Sequence, residues 1–268
     1  MKKQGLVITA AIMLTIVAIA AVSTLVWIIS RGSPYDGVDT KTFCREGRTL
    51  PITIVLVDAT DQLEPAQMTR LVGELNSLKE SQPRFGHLVL YVVDGNNPSG
   101  VGEPLASVCN PGKPEDADKF MENARIIGNK YSKLFDVPFE EALATLAKQN
   151  PADKSPIIEA IETATVSTFG AYADGQGEKR VIVISDMLQN RDQVSFYKKV
   201  PTFSDFEASD TFRMHRPFLK GVDVKVWEVN RPGKRNNPTR VEVAAFWKNY
   251  FESVGAKIDK VWWDATRI

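Results

Sequence analysis

The sequence predicts an α/β fold: a Rossmann-like, mostly parallel central sheet flanked by helices, preceded by one transmembrane helix. Three observations predict it. Short β-branched and Leu runs alternate with segments of helical periodicity, as in βαβ units. Those runs are apolar without alternation, the pattern of strands buried on both faces. Finally, Leu6 to Ile29 carries no charge.

That uncharged stretch comes first. Residues 1–5 form a short tail with Lys2 and Lys3, and residues 6–30 read as the spanning helix. As a helix, Leu6 to Ile29 is about 36 Å long, against a bilayer core of about 30 Å. Its polar residues, Thr9, Thr15, Ser23 and Thr24, are small hydroxyls that can bond back into a helix. Trp27 lies near one end, where indole favours the interface. The competing reading is a cleaved signal peptide. Its apolar core ordinarily runs about 7–15 residues and ends at a small-residue cleavage site. Here Ala18, Ala20 and Ala21 lead into further apolar residues. The expectation is an uncleaved single-pass anchor in the cell (inner) membrane. Lys2 and Lys3 favour a cytoplasmic N-terminus and an extracytoplasmic C-terminal domain, although Arg31, Lys41 and Arg45 pull the other way.

Residues 31–49 are a polar linker with Gly and Pro, and residues 50–268 are the α/β domain. Ile52 to Val57 is the first strand and ends at Asp58. Leu63 to Lys79 places Met68, Leu71, Val72, Leu75 and Leu78 at helical spacing, with Pro65 near its start. His87 to Val93 is the second strand, ending at Asp94, and a Gly/Asn/Pro-rich loop runs from Gly95 to Pro114. Asp118 to Gln149 is helical but broken near Asp136-Val137-Pro138, since Pro cannot continue a helix interior. Ser155 caps a helix that begins with Pro156 and runs to Ser167. Arg180 to Ser185 is the third strand, ending at Asp186. Gln189 to Lys220 is long and mixed, with room for a short helix. Asp223 to Val229 is the fourth strand, and a solvated basic loop follows over 231–240. Arg240 to Val254 is a helix whose Phe246, Trp247, Tyr250 and Phe251 belong to the core. Lys257 to Trp263 is the fifth strand.

Composition narrows the function. The 268 residues include 33 Lys+Arg against 33 Asp+Glu, two Cys and two His. Zero net charge argues against a nucleic-acid binder working through bulk positive charge. A structural zinc cluster is not expected, because it takes about four N/S ligands close together and the chain holds only two Cys and two His in all. Cys44 lies between the anchor and the first strand, and Cys109 lies in a loop. In an extracytoplasmic domain they could form one disulfide; otherwise they are two unrelated thiols. No Cys-His signature surrounds either one. Phosphate-binding loops and a Gly-x-Ser-x-Gly elbow are absent from the sequence, so neither turnover nor a small-molecule substrate is expected.

In doubly wound sheets ligands bind beyond the carboxyl ends of the strands, where strand order reverses. The rule selects Asp58-Ala59-Thr60-Asp61-Gln62, then Ser185-Asp186, with Ser155 at the helix start between them. Such an oxygen-rich set suits a hard cation, Mg²⁺ or Mn²⁺. The plain alternative is that these residues cap turns and helices.

The order and spacing resemble a von Willebrand factor A (VWA) domain over about residues 50–265. That family carries a metal-dependent adhesion site: Asp-x-Ser-x-Ser after the first strand, a later Thr, and an Asp after a central strand. Asp58 matches the first Asp and Thr60 the first hydroxyl. Ser155 resembles the later Thr, and Asp186 the final Asp. This sequence departs at Gln62, which stands at the second hydroxyl position, and at Met187, where the family has Gly. Asp61 is an added carboxylate. The resemblance implies ligation, directly or through water, by Asp58, Thr60, Ser155 and Asp186, with Asp61 and Gln62 as supporting or substitute ligands. It also implies a protein-interaction module whose metal takes a Glu or Asp from a partner, within a larger envelope or mobile-element assembly. Two other readings stand beside it. One is a structural membrane subunit with a degenerate site. The other is a phosphohydrolase with Asp58 as nucleophile, where Thr60 occupies the place of a required second acid.

Overall fold

The computed structural model describes residues 2–30, 35, 37–45, 51–119, 121–170, 177–230, 238–264 and 267–268. Much of the predicted linker and most of the basic loop, 231–237, lie outside them. The chain divides into two compact units, Met1–Val38 and Asp39–Ile268.

The first unit is helix α1, Lys2–Ser30, 29 residues long. Thr15 and Thr24 donate their hydroxyl protons to the carbonyls of Ala11 (2.9 Å) and Ala20 (2.5 Å), which absorbs both polar groups into the helix. The side chains of residues 11–27 are exposed. Among the described residues no helix is long and apolar enough to cross a membrane. The predicted segment is helical throughout.

The second unit is built on a six-stranded sheet in the order β3-β2-β1-β4-β5-β6. The strands are β1 (Ile52–Val57), β2 (His87–Val92), β3 (Ala106–Cys109), β4 (Lys179–Ser185), β5 (Asp223–Glu228) and β6 (Trp263–Asp264). All neighbours are parallel except β2 and β3. The helices are α2 (Pro65–Glu80), α3 (Ala124–Tyr131), α4 (Val137–Leu146), α5 (Ile157–Gly170), α6 (Phe203–Glu207), α7 (Asp210–Met214) and α8 (Arg240–Ser253). This is an α/β fold with a mostly parallel central sheet flanked by helices, consistent with a Rossmann-like or VWA-like architecture.

Every residue of β1 is buried, as its unbroken apolar run requires. On one face, Val55, Val57, Leu88, Leu90, Ile182 and Ile184 pack with Leu71, Leu75 and Leu78 of α2 and with Phe139 and Leu143 of α4. On the other face, the Tyr91 hydroxyl lies 3.2 Å from that of Thr168 on α5. Phe246, Trp247, Tyr250 and Phe251 of α8 are all buried, as expected.

Four sequence expectations change. The break at Asp136-Val137-Pro138 is a π-helical turn, Ser132–Asp136, in which Val137 N donates to Ser132 O. A widened turn accommodates a Pro ring that would meet the carbonyl four residues back, so the helix continues into α4. The buried Lys79 of α2 pins this turn through Asp136 (2.5 Å) and Glu140 (2.7 Å). The loop after Asp94 contains β3, an antiparallel edge strand that its Gly, Asn and Pro neighbours concealed. Gln189 to Lys220 holds two short helices, α6 and α7, each with a hydroxyl N-cap, Thr202 and Ser209. The fifth strand shrinks to Trp263–Asp264. Lys257 only bridges Asp223, because the polar Asp259-Lys260 segment turns away at the sheet edge before pairing resumes.

Candidate functional site

The strand order reverses between β1 and β4, and both strands end there in polar residues. Asp58 follows β1 and is fully buried, its amide donating to Ile184 O at 2.8 Å. Asp58 Oδ1 accepts from the Thr60 amide (3.1 Å) and the Thr60 hydroxyl (2.6 Å). Oδ2 accepts from the hydroxyls of Ser155 (3.0 Å) and Ser185 (2.7 Å). Four donors thus converge on one buried carboxylate. The chain turn Asp58–Thr60 is an Asx turn, a local habit of Asp.

Of the predicted set, Asp58, Thr60 and Ser155 come together. Ser185 joins them; the carboxyl-edge rule selects it, but it is not among the ligands that the family resemblance implies. Asp186 is the next residue and half-buried; its Oδ1 accepts from Leu188 N at 3.0 Å. Asp61 is half-buried and Gln62 exposed, so both stand outside the fully buried set.

Ser155 does not serve as the expected side-chain cap. Its hydroxyl is turned to Asp58, while its backbone pairs with Asn190 in both directions (2.8 and 3.0 Å). The first turn of α5 is satisfied instead by Gln189, whose Oε1 accepts from Ile158 N at 2.9 Å. Gln189 Nε2 in turn donates to the buried Glu159 at 3.0 Å. Arg191 lies 3.9 Å from Glu159 and donates to the carbonyls of Asn97 (3.4 Å) and Pro98 (3.0 Å). The loop after β4 therefore fixes both the helix start and the loop after β2.

Met187 carries φ 61° and is fully buried. That left-handed conformation is one glycine adopts without strain. Its carbonyl accepts from Trp247 Nε1 at 2.9 Å and its amide donates to Ser185 Oγ at 2.8 Å.

These donors fit a hard cation in kind. Thr60, Ser155 and Ser185 each spend their hydroxyl proton on Asp58, and a hydroxyl oxygen keeps lone pairs when its proton is so used. Ser185 commits one to Met187 N. Thr60 and Ser155 would hold a Mg²⁺ or Mn²⁺ ion, with Asp58 and Asp186 supplying negative charge.

A second cluster lies at the β2–β3 edge. His87 and Cys109 are directly opposed in the antiparallel ladder, and Ser107 stands two residues from Cys109 on the same face. His87 Nε2 is 2.8 Å from Ser107 Oγ. Cys44 reaches Cys109 from a tight loop whose Asp39 carboxylate accepts from the Lys41 amide and the Thr42 amide and hydroxyl. Those bonds, Thr42's foremost, hold the Asp39 carboxyl below its ordinary range. Cys44 and Cys109 form a disulfide with Cα atoms 5.1 Å apart, which settles the pairing the sequence left open. The ligand atoms of Cys44, His87 and Cys109 lie within 4.8 Å of one another, with both sulfurs committed to the disulfide. Burial lowers the His87 pKa to about 4, so the ring is neutral at physiological pH.

No family model and no curated protein matches the chain. Among solved structures it is similar to the crystal structure of an aerotolerance-related membrane protein from Bacteroides fragilis, carrying multiple mutations to serine. The two share 9% identity over 79% of this chain and 91% of that one, with a TM-score of 0.39.

Proposed function

We propose that the chain is a single-pass, membrane-anchored binding module without turnover. In this reading its switch-point cluster holds a divalent cation and takes a carboxylate from a partner protein, within a larger envelope or mobile-element assembly. The observation that carries the reading is the convergence of Thr60, Ser155 and Ser185 on Asp58 at the reversal of strand order, where doubly wound sheets bind ligands. Bound there, the ion would supply an electrophilic centre for a Glu or Asp oxygen.

Anchoring rests on the 29-residue helix α1 and the uncharged run Leu6 to Ile29. An extracytoplasmic domain is supported by the Cys44–Cys109 disulfide, since such bonds persist in oxidising compartments. A phosphatase reporter fused after Ile268 is then active; a stable but inactive fusion reverses the orientation.

The metal is tested by calorimetric titration of Mn²⁺ into the detergent-solubilised full chain, with and without acetate as carboxylate mimic. Saturable binding lost in Asp186→Asn, with the native circular dichroism kept, supports the reading. Absence of binding in both conditions favours a structural subunit instead. That second reading draws on one observation: each oxygen of Asp58 already accepts two hydrogen bonds.

A further inference from the structure

We infer that the Cys44–Cys109 disulfide masks a thiolate–imidazole metal site, and that reduction converts the β2–β3 edge into a three-ligand Zn²⁺ site completed by His87. The inference is independent of the Asp58 cluster.

The sheet itself brings the ligands together. His87 and Cys109 are cross-strand partners, so their side chains project from the same face at neighbouring positions. Cys44 is carried to them by the Asp39–Cys44 loop. That loop is held by hydrogen bonds of its own, from Asp39 N to Cys44 O (2.9 Å) and Phe43 N to Asp39 O (2.9 Å). Lys130 Nζ also sits 4.3 Å from the centre of the Phe43 ring. The hydrogen bonds hold the shape of the loop, and the burial of Phe43 beside Lys130 of α3 ties it to the domain without the sulfur–sulfur bond, which favours Cys44 staying near Cys109 after reduction.

The surroundings match what such a site needs. Ligating histidines are ordinarily oriented by a hydrogen bond from their second ring nitrogen. Ser107 Oγ, 2.8 Å from His87 Nε2, does this for His87, and the ring would ligate through Nδ1. Cys109 and His87 are buried, which shields the site, while the half-buried Cys44 gives a route from solvent. Two thiolates and an imidazole suit Zn²⁺ and leave a fourth tetrahedral position for water or a further ligand. The chain has two Cys and two His, and three of these four meet at this one point.

The chemistry balances with a dithiol as reductant. Thiolate attack breaks the Cys44–Cys109 bond. The dithiol gives up two electrons and two protons and closes to its own disulfide, leaving two cysteine thiols. Zn²⁺ then displaces those two protons to solvent as it takes both thiolates.

The test uses the full chain in detergent, oxidised or reduced by excess dithiol and freed of it anaerobically, and titrated with Co²⁺ alone. The reduced protein is expected to bind one equivalent, with thiolate-to-cobalt charge-transfer absorption and the intense visible bands of a tetrahedral ion. Zn²⁺ should bleach both. The oxidised protein should show neither. His87→Gln, which keeps a partner for Ser107, should weaken Co²⁺ binding at least about tenfold, and Cys44→Ser should abolish the two-thiolate spectrum. Three results would overturn the inference: a reduced chain without these bands, a reduced chain that loses its native circular dichroism and takes up no cobalt, or affinity unchanged by His87→Gln.

Discussion

The Ser185 hydroxyl donates to Oδ2 of Asp58 at 2.7 Å, across 127 residues of sequence. The bond ties the carboxyl ends of β1 and β4 where strand order reverses. Ser185 Oγ also receives the Met187 amide. The carboxylate is therefore a structural hub of the sheet edge as well as a candidate site residue.

Asp58→Ala is expected to destabilise the domain by about 3–5 kcal/mol, because three hydroxyls and an amide lose a buried acceptor together. Urea denaturation measures it. A loss below about 1 kcal/mol would show that the hydroxyls find other partners. Asp186→Asn, half-buried and bonded to a local amide, should cost far less, which makes it the cleaner probe of metal binding.

Replacing both cysteines by serine frees a loop of sequence separation 65. Chain entropy assigns such a loop about 4 kcal/mol. A fall of that order in unfolding free energy, matched by wild type under dithiol, is the expected result. Equal stability of oxidised and reduced wild type would contradict it.

Met187→Gly opposes two effects. Relief of the left-handed backbone returns about 1 kcal/mol, while loss of a fully buried Met side chain removes about 2–5 kcal/mol. Burial wins, and the variant should be less stable by roughly 1–4 kcal/mol. A more stable variant would mean that strain at this turn exceeds the side chain's packing.

His87 gives stability a pH dependence. Its folded pKa, lowered to about 4 by burial, lies below the unfolded value near 6.5. The unfolded chain therefore binds the proton first. The contribution of the neutral ring is complete above about pH 6.5 and is lost as pH falls toward 4, by up to about 3 kcal/mol. Stability of wild type and His87→Gln measured between pH 7 and 4 should diverge in slope across that window. Parallel profiles would refute the assignment.

Much of this was legible in the chain. Strands such as Ile52 to Val57 and Arg180 to Ser185 announce themselves by apolar runs, and the carboxyl-edge rule then picks out Asp58. What escaped was set by partners distant in sequence. Ala106–Cys109 becomes a strand because β2 offers an edge to it. Gln189 caps α5 from another loop, and so releases Ser155 for Asp58. Pro138 marks a disturbance, but only the Lys79 ion pairs and the π turn show that the helix survives it.

The disulfide has a mechanical consequence. Tension drawn from the N-terminus enters the domain at Cys44 and passes through sulfur directly to Cys109. Strand β1, helix α2 and strand β2 lie inside that covalent circuit and are bypassed. Oxidised, the chain withholds about 230 Å of contour length that a reduced chain could pay out under load.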